Sequence, residues 1–247
     1  MERWIPILLA VYLGYFLWSR RASIPYKRGI KEINNKNYER GLFFLEKAVS
    51  QGVKPMQEIR AAYAELKFGD VKKARTKLNM VLLKGGLKEN FKNEARCILA
   101  IVLINQGEME EAKEILEKLH KTHKNTNFYA TFGYFALLTG DKEYYTKINE
   151  EAYDYNKDSP VICDNYAHML YLNGEFDKAE KVYRELMEKT PNFPEAYYNY
   201  ALVLIKKDDI EKVVEQLELA LTKEFFGITT IKKEQVEEML NQYKKEQ

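Results

Sequence analysis

Two stretches of this chain carry nearly the same alternation of apolar and polar residues: QGEMEEAKEILEKLHKTHKN from Gln106 to Asn125 and NGEFDKAEKVYRELMEKTPN from Asn173 to Asn192. In the second, Phe176, Ala179, Tyr183 and Leu186 recur at steps of three and four, which gathers them on one face of an α-helix and leaves Lys and Glu on the other. Met109, Ala112, Leu116 and Leu119 do the same in the first. The second residue of each stretch is a glycine, Gly107 or Gly174, that ends an earlier apolar helix: Leu99, Ala100 and Leu103 precede one, Tyr166, Ala167 and Leu170 the other. A last copy places Tyr197, Tyr200, Ala201 and Leu204 before Val213, Leu217 and Ala220. The pattern predicts antiparallel helix pairs in series. Such a pair cannot hide its apolar side alone, and a neighbouring copy covers it, which explains the repetition.

Small residues and turns set the units near Ala22, Pro55, Asn93, Thr126, Pro160 and Pro194, 33 to 38 residues apart. A period near 34, with a small residue between apolar ones, a turn, then Ala and a bulky residue before a proline such as Pro191, resembles the tetratricopeptide repeat family. The resemblance covers about residues 22–225 and is densest in the last four units. It implies an all-α, right-handed superhelical solenoid of six helix pairs, at about 22–54, 55–92, 93–125, 126–159, 160–193 and 194–225. Arg96, Tyr129 and Cys163 stand where the family's signature Trp is found. The fourth unit departs further, with Tyr145 at a small-residue position and Asn149 at a bulky apolar one. Gly85 and Gly86 stretch the second. Over 226–247, Ile231, Val236, Leu240 and Tyr243 fall at helical spacing and predict a capping helix.

The resemblance further implies a concave groove lined by the fifth, ninth and twelfth positions of each unit. In the first two units these are Tyr26, Ile30 and Ile33, then Ile59, Tyr63 and Leu66. Cys97, Ile101 and Ile104 follow, then Ala130, Tyr134 and Leu137. The last two units contribute Asp164, His168 and Tyr171, then Tyr198, Leu202 and Ile205. Chaperone-binding members of the family clamp a terminal carboxylate with Lys, Asn and Arg, a set absent here. The apolar lining instead implies a protein or peptide partner offering an apolar or amphipathic segment. Curvature, the N-terminal apolar stretch or the C-terminal helix could equally fill the groove. A second reading is a structural subunit that forms a homo-oligomer or completes a membrane complex.

Ahead of the repeats, residues 1–21 read as an uncleaved anchor. WIPILLAVYLGYFLW, Trp4 to Trp18, carries no charge and is apolar on every side, so a helix there needs apolar surroundings all round. Its 15 residues would rise about 22 Å, short of a bilayer core, and Met1–Ser19 nearly makes up the difference. A buried capping helix is the alternative. Arg20, Arg21, Lys27, Arg28 and Lys31 follow the run and only Arg3 precedes it, which predicts a single-pass protein of the cell membrane with its repeats in the cytoplasm.

Composition narrows the function further. Thirty-nine Lys and Arg against 37 Asp and Glu leave a net charge of +2, too little to draw in nucleic acid. Cys97 and Cys163 lie about two repeats apart and are expected to be reduced. No phosphate-binding loop, dinucleotide fingerprint, zinc-protease or serine-hydrolase motif occurs, so neither catalysis, a cofactor nor a metal is expected. His120 and His123 read as a solvated helix end. Asp164 and His168, four apart, are expected to form a hydrogen-bonded pair in the groove.

Overall fold

In the computed structural model, which describes Tyr12, Gly14 and residues 20–245, helix pairs follow one another as the pattern predicts. The expected anchor lies outside the described residues except for Tyr12, Gly14, Arg20 and Arg21. Among the described residues no helix is long and apolar enough to cross a membrane. The pairs are α1 (Ser23–Asn34) with α2 (Tyr38–Ser50), α3 (Pro55–Phe68) with α4 (Val71–Leu82), and α5 (Glu89–Gln106) with α6 (Met109–His120). Then come α7 (Thr126–Leu138) with α8 (Lys142–Tyr155), α9 (Pro160–Leu172) with α10 (Phe176–Glu188), and α11 (Pro194–Lys206) with α12 (Ile210–Leu221). A single helix, α13 (Lys233–Tyr243), ends the chain's described part. Two compact units divide it, Met1–Val102 and Leu103–Gln247, with the boundary inside α5.

Local chemistry sets the helix ends. Asp70, Asn125, Asp141 and Asp209 each accept a backbone N–H of the first turn that follows, supplying an acceptor the helix itself lacks. Prolines open α3, α9 and α11, where no N–H is needed. The turns inside the pairs require left-handed backbone: Gly107 and Gly174 have φ of 78° and 80°. Lys36 and Asp208 adopt 63° and 59° at the same point of the first and last pairs, against the preference of a residue with a Cβ.

In the N-terminal unit, Tyr26, Leu45, Ala48, Ala61 and Ala64 form the core, with Ile30, Ile33, Leu42 and Phe68 packed against it. Two glycines let α1 and α2 approach. A Cβ on Gly41 would stand 2.5 Å from Ile33 Cγ1, and one on Gly29 would stand 2.8 Å from Leu45 Cγ. Two carboxylates on α3 are buried yet paired: Glu65 takes Lys77 Nζ at 2.5 Å and Glu58 takes Lys84 Nζ at 2.6 Å. Arg21 donates to the Gln51 carbonyl and the Arg28 guanidinium lies 4.1 Å from the Phe44 ring centroid, so part of the basic cluster after the apolar run is held against this unit.

In the C-terminal unit the expected core is buried: Ala112, Leu116, Ala167, Ala179, Tyr183, Leu186, Ala201, Leu217 and Ala220 all lie inside. The departures of the fourth repeat are accommodated in part, with Asn149 Nδ2 bonded and its buried Oδ1 without a hydrogen-bond partner. Asn149 is 1% exposed and donates to the carbonyls of Gly133 and Tyr145, and Gly133 has no Cβ to collide with it. Tyr145 is buried with its hydroxyl donating to Asn173 Oδ1 at 3.1 Å. The cap helix is shorter than the pattern implied: Val236 and Leu240 are buried against α12, but Ile231 precedes the helix.

Candidate partner-binding face

Within the C-terminal unit, the first helix of each pair stands beside the first helix of the next: α9 packs against both α7 and α11. Asparagines one period apart tie this row together. Asn165 Nδ2 donates to the Ala130 carbonyl on α7 at 2.9 Å, and Asn199 Nδ2 donates to Asp164 Oδ1 on α9 at 3.1 Å. The row presents Tyr134, Leu137, His168, Tyr171, Tyr198 and Leu202 half-buried, neither sealed in a core nor fully solvated. Tyr171 stacks on His168 with ring centroids 5.7 Å apart. Burial raises Tyr198 above the ordinary tyrosine range, and the neighbouring Tyr171 adds to this.

The remaining expected lining residues divide. Ile30, Ile101 and Ile104 are half-buried, and Tyr63 is 37% exposed. Tyr26, Ile59, Leu66 and Cys97 are buried in packing and present no surface to a groove. Asp164 is also buried, and the pair expected with His168 does not form. Its Oδ1 accepts from Tyr183 at 3.0 Å and from Asn199, joining α9, α10 and α11, while His168 Nδ1 is buried without a hydrogen-bond partner. Burial pushes the Asp164 carboxyl up to about 7 against its two hydrogen bonds, and pushes His168 down to about 4. Both side chains are therefore neutral over an interval of mildly acidic pH.

An occupant of this face comes from the chain itself. Between α12 and α13 the segment Phe226–Thr229 closes a β-turn: Thr229 N–H donates to the Phe226 carbonyl at 2.9 Å, and Phe226 N–H donates back to Thr229 Oγ1 at 2.8 Å. The Gly227 carbonyl accepts from Asn105 Nδ2 on α5 at 3.0 Å, and Thr230 N–H donates to Glu195 Oε1 on α11 at 2.7 Å. Thr230 also shares a hydrogen bond with the Tyr134 hydroxyl, whose pKa burial raises while this bond lowers it. Burial raises the pKa of Glu195 as well, against the bonds from Thr230. This hook was not foreseen: FGITT has no periodicity, and only the gap between Ala220 and Val236 with a glycine in it marks the place. The asparagine ties were legible in principle, since Asn165 and Asn199 are 34 apart like the repeats themselves.

The two histidines set aside as a helix end differ from that expectation in detail. His120 Nε2 and Lys124 Nζ meet the Glu151 carboxylate at 2.9 and 2.8 Å, and Tyr129 donates to it at 2.6 Å. Burial alone would raise Glu151, but hydrogen bonds from Lys124, Tyr129 and His120 outweigh it and bring its pKa down to about 2. Among the described residues no cluster of three His, Cys, Asp or Glu side chains is placed to hold a metal. Cys97 and Cys163 are both buried, and Cys163 Sγ donates to the Lys157 carbonyl at 2.9 Å.

Helix pairs in series, joined in the C-terminal unit through their first helices, define an α-helical repeat protein. Family models described as tetratricopeptide repeat match residues 94–126, 160–203 and 194–222, so the chain carries tetratricopeptide repeats there. A TPR repeat-containing protein of Dictyostelium discoideum is 27% identical over 121 residues, 45% of this chain and 46% of that protein, so the match spans about half the length of this curated relative. Among solved structures, a tetratricopeptide repeat protein from Parabacteroides merdae superposes with TM-score 0.71 at 13% identity, covering 91% of this chain and 85% of that one. A chain of the Cut9–Hcn1 hetero-tetramer of the APC/C gives 0.68 at 13% identity, over 94% of this chain and 45% of that one. The PilF protein of Pseudomonas aeruginosa gives 0.60 at 12%, over 93% and 99%. At these identities the likeness to solved structures is one of fold.

Proposed function

We propose that this protein is a non-catalytic docking scaffold whose inner face on α7, α9 and α11 takes a segment of a protein partner, and that residues 4–18 tether it to the cell membrane with the repeats on the cytoplasmic side. One observation carries the docking reading: Tyr134, Tyr171, Tyr198 and Leu202 form a row of large apolar side chains left half-buried, beside polar groups, Asn105 and Glu195, that bind main-chain atoms. Aromatic side chains at such a surface combine a large apolar contact with a polar tip. The APC/C relative in fold was solved as a hetero-tetramer, an assembly role consistent with this reading. Tethering rests on the charge-free run and the basic residues behind it.

The test is capture by chemical crosslinking in native membranes, comparing the wild type with Tyr134→Glu and Tyr198→Glu. A charge on the half-buried face is expected to remove the captured partner while circular dichroism stays unchanged. Unchanged capture by both folded variants contradicts the docking reading. Release of the protein by alkaline carbonate would contradict the tether without touching the docking site.

A further inference from the structure

The hook between α12 and α13 is bound to the inner face as a ligand would be. It reaches α5 and α11 at positions three residues apart in its own sequence, through one carbonyl (Gly227) accepting from Asn105 and one N–H (Thr230) donating to Glu195. Both of these contacts are to its main chain, and the Thr230 hydroxyl adds a longer one to Glu195 Oε1 at 3.4 Å, so the face reads backbone with one side-chain hydroxyl beside it. Its turn is closed by two internal hydrogen bonds, which fixes the separation of these groups before they dock. Its apolar side chains Phe226, Ile228 and Ile231 are half-buried, as are the aromatic residues of the face. Glu195 is held in partly desolvated surroundings, where losing its N–H donor costs more than it would in water.

We infer that the hook is a built-in competitor for the partner site, and that the partner segment it yields to is a short apolar turn of the same chemistry: a free carbonyl for Asn105, a free N–H three residues on for Glu195, and flanking aromatic or β-branched side chains. This rests on the reading of the inner face as a docking site and adds to it both a ligand class and a means of regulation. A tethered segment competes at a high effective concentration, so a partner gains the site only with a closer match or a high local concentration of its own. Scaffold occupancy then depends on the partner's abundance at the membrane and not on affinity alone.

The probe is a fluorescent peptide with the hook's own sequence, KEFFGITTIK (residues 223–232), titrated into the full chain. Thr230→Pro removes the N–H given to Glu195 and loosens the hook while leaving the face intact. Thr229→Ala, which removes the hydroxyl that accepts from Phe226, is the second loosening variant should the first fold poorly. The peptide is expected to bind the loosened chain roughly tenfold or more tighter than the wild type, the loss of one hydrogen bond to a charged group being of that order. Adding Asn105→Ala should weaken it again. Hydrogen exchange should show the Thr230 amide protected in the wild type and exposed when peptide is present. Equal binding to wild type and loosened chain overturns the competitor role and leaves the docking site standing; binding to neither overturns both. A doubled mass that the peptide reverts to a single copy overturns the internal assignment, since the hook would then serve a second copy.

Discussion

Asp164 illustrates how a side chain's role is set by neighbours that are distant in sequence. Its spacing from His168 promised a pair, yet Tyr183 from α10 and Asn199 from α11 reach it instead, and a one-dimensional spacing does not register donors arriving from other helices. The consequence is measurable. Between the unfolded value of about 3.9 and the folded value of about 7, the folded chain holds a proton on Asp164 that the unfolded chain has released, so stability falls as pH rises through this window. His168 works in the opposite sense: its folded value of about 4 lies below the ordinary 6.5, so its contribution is present at neutral pH and is lost as pH falls toward 4. Comparing wild type with Asp164→Asn cancels the His168 part. The variant is expected to gain stability relative to wild type progressively from pH 4 to pH 7, on the order of 1 kcal/mol per pH unit, measured by urea unfolding at each pH. A flat difference would contradict a buried, proton-holding Asp164.

At the scale of the element, the helices were legible because amphipathic period and turn chemistry agree: Phe176, Ala179, Tyr183 and Leu186 mark a helix face, and Gly174 marks the left-handed turn before it. Asn149 ran against the pattern and still fits, since Gly133 on the facing helix makes room and supplies the acceptor; that compensation needs both helices in view. The lining positions were legible only in part. Tyr26 and Ile59 sit at the same register as Tyr198, and Leu66 at that of Leu137, but Tyr26, Ile59 and Leu66 are buried in packing, and register fixes direction without fixing what stands there. The hook was legible only as a glycine-containing gap, because an aperiodic segment whose contacts run largely through main-chain atoms leaves no side-chain pattern. Helix approach gives a sharp prediction at Gly41. An added Cβ would meet Ile33 at 2.5 Å and the Gly29 carbonyl at 3.1 Å, so Gly41→Ala is expected to cost about 1–3 kcal/mol. Gly85→Ala, with nothing within 4 Å, should leave the denaturation midpoint unchanged or slightly raised.

Over the whole molecule, repeats place a row of first helices side by side in the C-terminal unit and leave its aromatic side chains half-buried, and the chain covers part of that row with its own hook. The chemistry this face shows is half-buried aromatic surface plus two side chains, Asn105 and Glu195, that hydrogen-bond the hook's main chain. The docking claim has a direct measurement: a photo-crosslinking amino acid placed in the intact protein at Tyr198 on the inner face, and separately at Lys181 on the exposed side of α10. The account predicts a discrete crosslinked partner from position 198 that disappears when excess KEFFGITTIK peptide is added, and none from position 181. A partner captured from position 181 and not from 198 would contradict it.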